Sequence, residues 1–167
     1  MSLLTATHDD FEARNGATIP PGIYRVTLEA VGQKGYANGI QLERQYGNIR
    51  SREGATEIDH NGGTFRFGNR KLFAHSWIEH TNPKAAAAGK AQIVREAAAL
   101  GLMQKPEKGQ TVELPFDSWD EYANVIAGRE VLVKVALETR RDKEKKVVLD
   151  EEGKPTVDAR VVDWLAP

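Results

Sequence analysis

The chain has 167 residues, of which 40% are hydrophobic and 28% charged, and its formal net charge at pH 7 is −1. This length and composition fit one globular domain with its own core. The sequence contains no cysteine, which excludes disulfides, thiolate catalysis and cysteine-ligated metal sites. Because the net charge is close to zero, attraction for phosphate would have to come from a local basic surface.

Residues 1–18 are polar and aperiodic, which predicts a flexible N-terminal arm in front of a single domain over residues 19–167. Asp9 and Asp10 fall where a secretory signal would need an apolar segment, so we expect no signal peptide. The sequence has no apolar run near the roughly 20 residues of a membrane helix. We therefore expect a cytoplasmic protein without a membrane partner.

The first half of the chain alternates apolar and polar residues, which is typical of β-strands. A rigid Ile-Pro-Pro-Gly turn over residues 19–22 leads into the first of them. Strands are predicted over residues 23–31, 40–46, 64–67 and 71–79, with a short one within 55–59. Glycines predict a hairpin loop over 32–39, and Asn-Gly-Gly at 61–63 predicts a tight turn.

The period then changes to that of helices. Asn82 as N-cap and Pro83 at the first helical position predict a helix over 84–100, followed by a glycine. A second helix is predicted over 119–127, because Ser118 is followed three residues later by a glutamate, which is the pattern of a capping box.

Strands return at the end of the chain. Residues 129–139 alternate most clearly, and residues 147–149 and 157–165 are predicted to pair as a terminal hairpin. The element order predicts an α+β protein, mainly antiparallel β. It favours an OB-like five-stranded barrel with a helical insert between strands 3 and 4, although other α+β sheets share this order.

The sequence offers little for catalysis. It contains no HExxH, P-loop, dinucleotide-binding glycine pattern or Gly-x-Ser-x-Gly elbow. Asp59, His60 and Asn61 leave a metal-dependent nuclease open as an alternative, but a second ligand cluster would be needed to hold the ion. We therefore predict no catalytic residue, no metal and no cofactor, and a protein that is not an enzyme.

The more informative pattern is the mixture of aromatic and basic residues. Residues 34–71 contain seven basic residues against four acidic ones. Proteins that bind single strands need both types, because cations follow the phosphates and flat rings stack on bases. The predicted nucleic-acid-binding residues are Lys34, Tyr36, Arg44, Tyr46, Arg50, Arg52, Phe65, Arg66, Phe67, Arg70, Lys71 and Phe73.

Burial is the competing interpretation for each of these rings, because strand aromatics commonly fill a core. Tyr36 and Tyr46 lie next to glycines and polar residues, so we expect them to be the exposed pair. The three tryptophans, Trp77, Trp119 and Trp164, are predicted to be buried anchors.

Four stretches together resemble a family of tailed-phage single-stranded DNA-binding proteins encoded among replication and recombination genes. They are residues 19–26 (IPPGIYRV), the helix and its end over 82–101, residues 128–135 (GREVLVKV) and residues 162–167 (VDWLAP). The resemblance implies an OB-like fold, binding of single-stranded DNA without sequence preference, replication or recombination proteins as partners, and the host cytoplasm as location. It supplies no contact residues.

Two further points are left open by the sequence. One alternative is a non-catalytic phage assembly or interaction protein whose sheet contacts protein instead of DNA. The oligomeric state is not determined, and a homodimer is among the states that fit.

Overall fold

The computed structural model describes residues 18–167, so the N-terminal arm predicted over 1–18 lies outside the described residues except for Thr18. The described part contains seven strands and two helices. In chain order they are β1 (Gly22–Tyr36), β2 (Gly39–Ser51), β3 (Glu57–His60), β4 (Gly63–Arg66), β5 (Leu72–His80), α1 (Pro83–Ala99), α2 (Trp119–Ile126), β6 (Glu130–Thr139) and β7 (Val157–Leu165).

Five of the strands form one antiparallel sheet in the order β5-β2-β1-β6-β7, and β3 and β4 form a separate hairpin. The predicted α+β class, mainly antiparallel, is confirmed. The sheet is not a closed barrel: β5 and β7 are its two edges, and within residues 18–167 no hydrogen-bonded ladder joins them.

The β1–β2 hairpin is longer than the sequence predicts. Gly32 pairs with Glu43 and Gly35 with Ile40, so the ladder continues through the region expected to be a loop. The connection between the strands is only residues 37–38. Glycine weakens a strand without preventing its pairing, and here the partner strand supplies the hydrogen bonds that keep it extended.

Both helices begin at the predicted caps. The side chain of Asn82 accepts a hydrogen bond from the Lys84 N–H (2.9 Å), and the Ser118 hydroxyl accepts one from the Glu121 N–H (3.1 Å). Gly101, just beyond α1, has a φ of 75°, which a residue with a side chain rarely adopts. Local sequence therefore determines where each helix begins and where α1 ends.

Helix α1 lies against both edge strands, β5 and β7, and buries Ile93 and Ala97. Gly89 faces β5 so closely that a Cβ atom there would overlap the backbone of Trp77. A glycine inside a helix costs about 1 kcal/mol relative to alanine. At this position the close approach of helix and strand requires it.

The core lies between the sheet and the helices. The strand residues that it buries are mainly those on the apolar side of the predicted alternation. Its most fully buried aliphatic residues are Val26, Leu28, Leu42, Ile93, Ile126, Val131 and Val133. Burial of each such side chain contributes about 1.5–3 kcal/mol, so this set supplies much of the free energy of folding.

The prediction that residues 147–149 and 157–165 pair as a terminal hairpin is wrong. Strand β7 pairs with β6, with Trp164 opposite Val133. Residues 147–149 belong to the connection between these two strands and make only isolated bridges, Val147 to Arg141 and Leu149 to Pro155. Strand β7 pairs with β6 instead of with residues 147–149, because β6 offers a long strand whose pairing extends the sheet and its core.

Neither of the two described helices is long and apolar enough to cross a lipid bilayer.

Candidate nucleic-acid interface

Arg44 is inside the protein, so the prediction that it contacts nucleic acid is wrong. Its side chain has no exposed surface, and its Nε donates to Glu96 Oε2 at 3.0 Å. The remaining guanidinium nitrogens donate to the Leu42 carbonyl oxygen and to Ser76 Oγ, both at 2.9 Å. A buried charge needs such complete pairing because solvent no longer stabilises it.

Tyr46 is also buried, contrary to the expectation that it is exposed, and it shares Glu96 with Arg44. Glu96 accepts hydrogen bonds from the hydroxyls of Tyr46 (2.7 Å) and Tyr122 (2.8 Å), and the Tyr46 oxygen accepts one from Trp164 Nε1 (2.8 Å). We call these five residues the Glu96 cluster. Burial, and then the negative charge of Glu96, raise the pKa of Tyr46 and of Tyr122, so both phenols remain protonated donors.

Phe67 is the third predicted contact residue that the structure places in the core, with 1% of its surface exposed. Its ring packs edge-on against Tyr24 (5.3 Å between centroids) and Phe65 (5.8 Å). Phe65 is half-buried, and the Arg70 guanidinium lies 4.8 Å from the centre of its ring. Phe67 therefore cannot stack on a base, and the Arg70 side chain partly covers the ring of Phe65.

The outward side of β5 carries alternating basic and aromatic residues. Phe73 and His75 are exposed and Trp77 is half-buried, whereas the intervening residues point into the core. Lys71, immediately before the strand, continues the same row. We call Lys71, Phe73, His75 and Trp77 the β5 face. Phe73 is 51% exposed, so its ring is accessible to a ligand.

An aromatic cluster extends the β5 face at the end of the β1–β2 hairpin. Tyr36, which is 44% exposed, contacts the Trp77 ring at 5.6 Å between centroids, and Trp77 contacts His80 at 4.4 Å. Lys34 Nζ lies 5.4 Å from the centre of the Tyr36 ring. The predicted residues Lys34 and Tyr36 thus meet an exposed end of the β5 face.

At its other end the β5 face borders a groove between the two sheet edges. One cavity of about 960 Å³ is lined by Phe73 and His75 on one side and by Arg140, Arg141 and Arg160 on the other. A second cavity of about 500 Å³ adjoins it and adds the predicted residues Arg70 and Lys71. We call the two together the β5–β7 groove.

The β5–β7 groove has an excess of positive charge. Five basic residues line it, namely Arg70, Lys71, Arg140, Arg141 and Arg160, against two acidic ones, Glu138 and Asp158. Several of these cations already have carboxylate partners at short range. Lys71 Nζ lies 2.6 Å from Glu29 Oε2, on the outer side of the sheet.

The remaining predicted residues, Arg50, Arg52 and Arg66, do not line the groove. Arg50 lies near the far end of β2, where it pairs with Arg25 of β1, and Arg52 follows in the next turn. Arg66 lies on the β3–β4 hairpin and forms an ion pair with Glu57 at 3.2 Å. Their side chains are exposed, but none of the three belongs to the β5 face or lines the groove.

Sequence reasoning missed His75, Trp77, Arg140, Arg141 and Arg160. A signal existed for the first two, because they continue the two-residue alternation that includes Phe73. No local signal marks the three arginines. They reach the groove only because β7 and the connection after β6 lie across from β5 in the folded chain.

The residues behind the nuclease alternative lie on the exposed β3–β4 hairpin. His60 contacts Asn61 and the ring of Phe65. Within residues 18–167, no three histidine or carboxylate side chains are grouped so that they could hold a metal ion together.

The sequence was compared with models of known protein families and with curated proteins. The chain matches no model of a known protein family. No curated protein has a matching sequence.

Proposed function

We propose that the protein binds single-stranded DNA without sequence preference, along a path from the β5–β7 groove over the β5 face to Tyr36. The observation that carries this proposal is the exposed ring of Phe73 on the wall of a groove where basic residues outnumber acidic ones by five to two. Exposed rings and cations at one site are what unpaired bases and their phosphates require.

The chemistry of the site favours a single strand over a duplex. Phe73 and Trp77 are four residues apart on one strand, or about 13 Å, so that separate bases can reach separate rings. Bases in a duplex are stacked on each other and cannot present their faces in this way. Because every base has a flat face, stacking gives affinity with little sequence preference.

We also propose that the sheet is an OB-type fold. In this interpretation β1, β2, β5, β6 and β7 are the first to fifth strands, the helices stand between the third and fourth, and the β3–β4 hairpin is an insertion. OB folds are partly open barrels that bind oligonucleotides on the face of their second and third strands and on the loop between the fourth and fifth. In this interpretation, the β5 face and residues 140–141 correspond to those binding positions.

A role in phage DNA replication or recombination, in the host cytoplasm, is part of the proposal and depends on the sequence resemblance alone. The exposed rings and cations of the β5 face and the β5–β7 groove support the binding part of the proposal, and the resemblance supports its setting. Partner proteins from the same processes belong to the same expectation.

Fluorescence anisotropy with a labelled oligo-dT, measured at several salt concentrations, tests the proposal directly. Affinity should fall as salt rises: the logarithm of the association constant, plotted against the logarithm of the salt concentration, should have a slope of about −0.7 for each phosphate neutralised. A duplex of the same length should bind more weakly at every salt concentration. The proposal would be abandoned if no binding is seen at low salt.

A further inference from the structure

Two carboxylates face each other in the β5–β7 groove. Glu138 of β6 and Asp158 of β7 are direct partners across the antiparallel ladder, and about half of each side chain is exposed. Like charges directly opposite each other in a sheet are destabilising. An arginine beside each carboxylate offsets this repulsion.

The arginines are held closely. Arg140 donates twice to Asp158, from Nη2 to Oδ1 at 2.6 Å and from Nε to Oδ2 at 2.9 Å. Arg160 Nη1 donates to Glu138 Oε2 at 2.6 Å. Bidentate guanidinium–carboxylate pairs have the same geometry as guanidinium–phosphate pairs. A phosphate that takes the donors now bound by Asp158 or Glu138 therefore has to replace a carboxylate of the protein itself.

Such a replacement also restores the repulsion between the two acids. Once phosphates hold both arginines, Glu138 and Asp158 remain opposite each other without a counter-charge from the protein. We propose that Glu138 and Asp158 compete with phosphate for Arg140 and Arg160 and thereby limit the affinity of the groove for an anionic strand. This inference rests on the proposed function of the groove.

Competition of this kind changes the salt response as well as the affinity. A phosphate that meets a cation releases the counterions condensed around the nucleic acid. A displaced carboxylate takes up a cation from solution, which cancels part of that release. In the wild type, each paired arginine should therefore contribute less to the salt slope than an arginine without a carboxylate.

Isosteric variants that remove one negative charge test the proposal. Asp158→Asn and Glu138→Gln should each tighten oligo-dT binding about two- to fivefold, the range that exposed ion pairs allow. Each should also make the salt slope steeper by about 0.7. The matched control is Glu57→Gln, which removes the same charge from a comparably exposed arginine pair outside the groove.

The outcomes separate this inference from the function on which it rests. If the wild type binds but the two groove variants bind no more tightly than Glu57→Gln, the competition is refuted and the binding function stands. If neither the wild type nor any variant binds at low salt, both proposals fail. Tighter binding and a steeper slope in the groove variants alone support the competition.

Discussion

Arg44 Nε lies 3.0 Å from Glu96 Oε2, and neither side chain has any exposed surface. The pair connects strand β2 to helix α1, and Ser76 of β5 and Trp164 of β7 are joined to it through Arg44 and Tyr46. The Glu96 cluster and Ser76 thus connect the two edge strands, which share no hydrogen-bonded ladder in the described part of the chain. The β5–β7 groove lies between these same strands.

Removing the cation of this pair should be strongly destabilising. Arg44→Met leaves the Glu96 carboxylate buried without its counter-charge, and we expect a loss of about 3–5 kcal/mol in the free energy of unfolding. Urea denaturation measures it. Arg66→Met is the control, since it breaks an exposed pair that contributes at most about 1 kcal/mol. Equal losses in the two variants would contradict the structural role of the cluster.

Stability should decrease at alkaline pH. Burial raises the pKa of Tyr24, Tyr46 and Tyr122 in the folded protein, and Glu96 adds to the effect on the last two. The contribution of a raised pKa is complete below the unfolded value near 10 and is lost as the pH rises towards the folded value. Each phenol should then lower the free energy of unfolding by up to about 1.4 kcal/mol per pH unit.

Urea midpoints between pH 8 and pH 11 test this dependence, and tyrosinate absorbance should report ionisation together with unfolding. Tyr122→Phe removes one ionisable phenol, so the loss of unfolding free energy per pH unit should be smaller than in the wild type by up to about 1.4 kcal/mol. If the slope above pH 10 is the same in this variant and the wild type, the assignment is wrong for Tyr122.

Gly89→Ala should destabilise the protein although alanine is the better helix former. The added Cβ would overlap the backbone of Trp77, so α1 and β5 would have to separate. We expect a loss of about 1–3 kcal/mol, as is usual for overpacking. Lys90→Ala, at the next and exposed position of α1, should change stability by less than about 0.5 kcal/mol. If the Gly89→Ala variant is as stable as the wild type, α1 and β5 are not packed as closely as described.

Phe73→Ala should weaken binding of oligo-dT without changing stability. The lost stacking corresponds to about 1–3 kcal/mol, or roughly five- to 150-fold in Kd. Leu149→Ala is the matched control, because Leu149 is 58% exposed and lines neither cavity. Anisotropy titrations of both variants decide the point, and an equal affinity for the two would remove Phe73 from the site.

Arg141→Ala should weaken binding and make the salt slope shallower by about 0.7, because one phosphate contact is lost. Arg66→Ala serves as the comparison. Arg66 belonged to the predicted surface and is exposed, but the fold places it outside the groove. If Arg66→Ala has the larger effect, the strand follows the β3–β4 hairpin and the proposed path is wrong.

Part of the candidate site could be predicted from the sequence, and part could not. Lys34, Tyr36, Lys71 and Phe73 were predicted as contacts, and the structure places them on or beside the β5 face. Arg44 follows the same two-residue period as Leu42 and could have been assigned to the inner face. Arginine is rarely buried without a partner, and the partner lies on a helix 52 residues away in the chain.

The sequence by itself determined the elements that depend on near neighbours. Asn82 and Ser118 begin the helices because their side chains satisfy backbone N–H groups within three residues. Alternation determined the main body of the sheet strands and which of their residues share a side, because that period is a property of the extended backbone.

Only the tertiary structure decided which strands are edges, which rings and charges are covered, and which charges meet. Burial of Arg44 and Phe67 and the convergence of Phe73 with Arg140 and Arg160 depend on segments far apart in the chain. The energy of a charge or a ring depends on what surrounds it, and those surroundings exist only after the chain has folded.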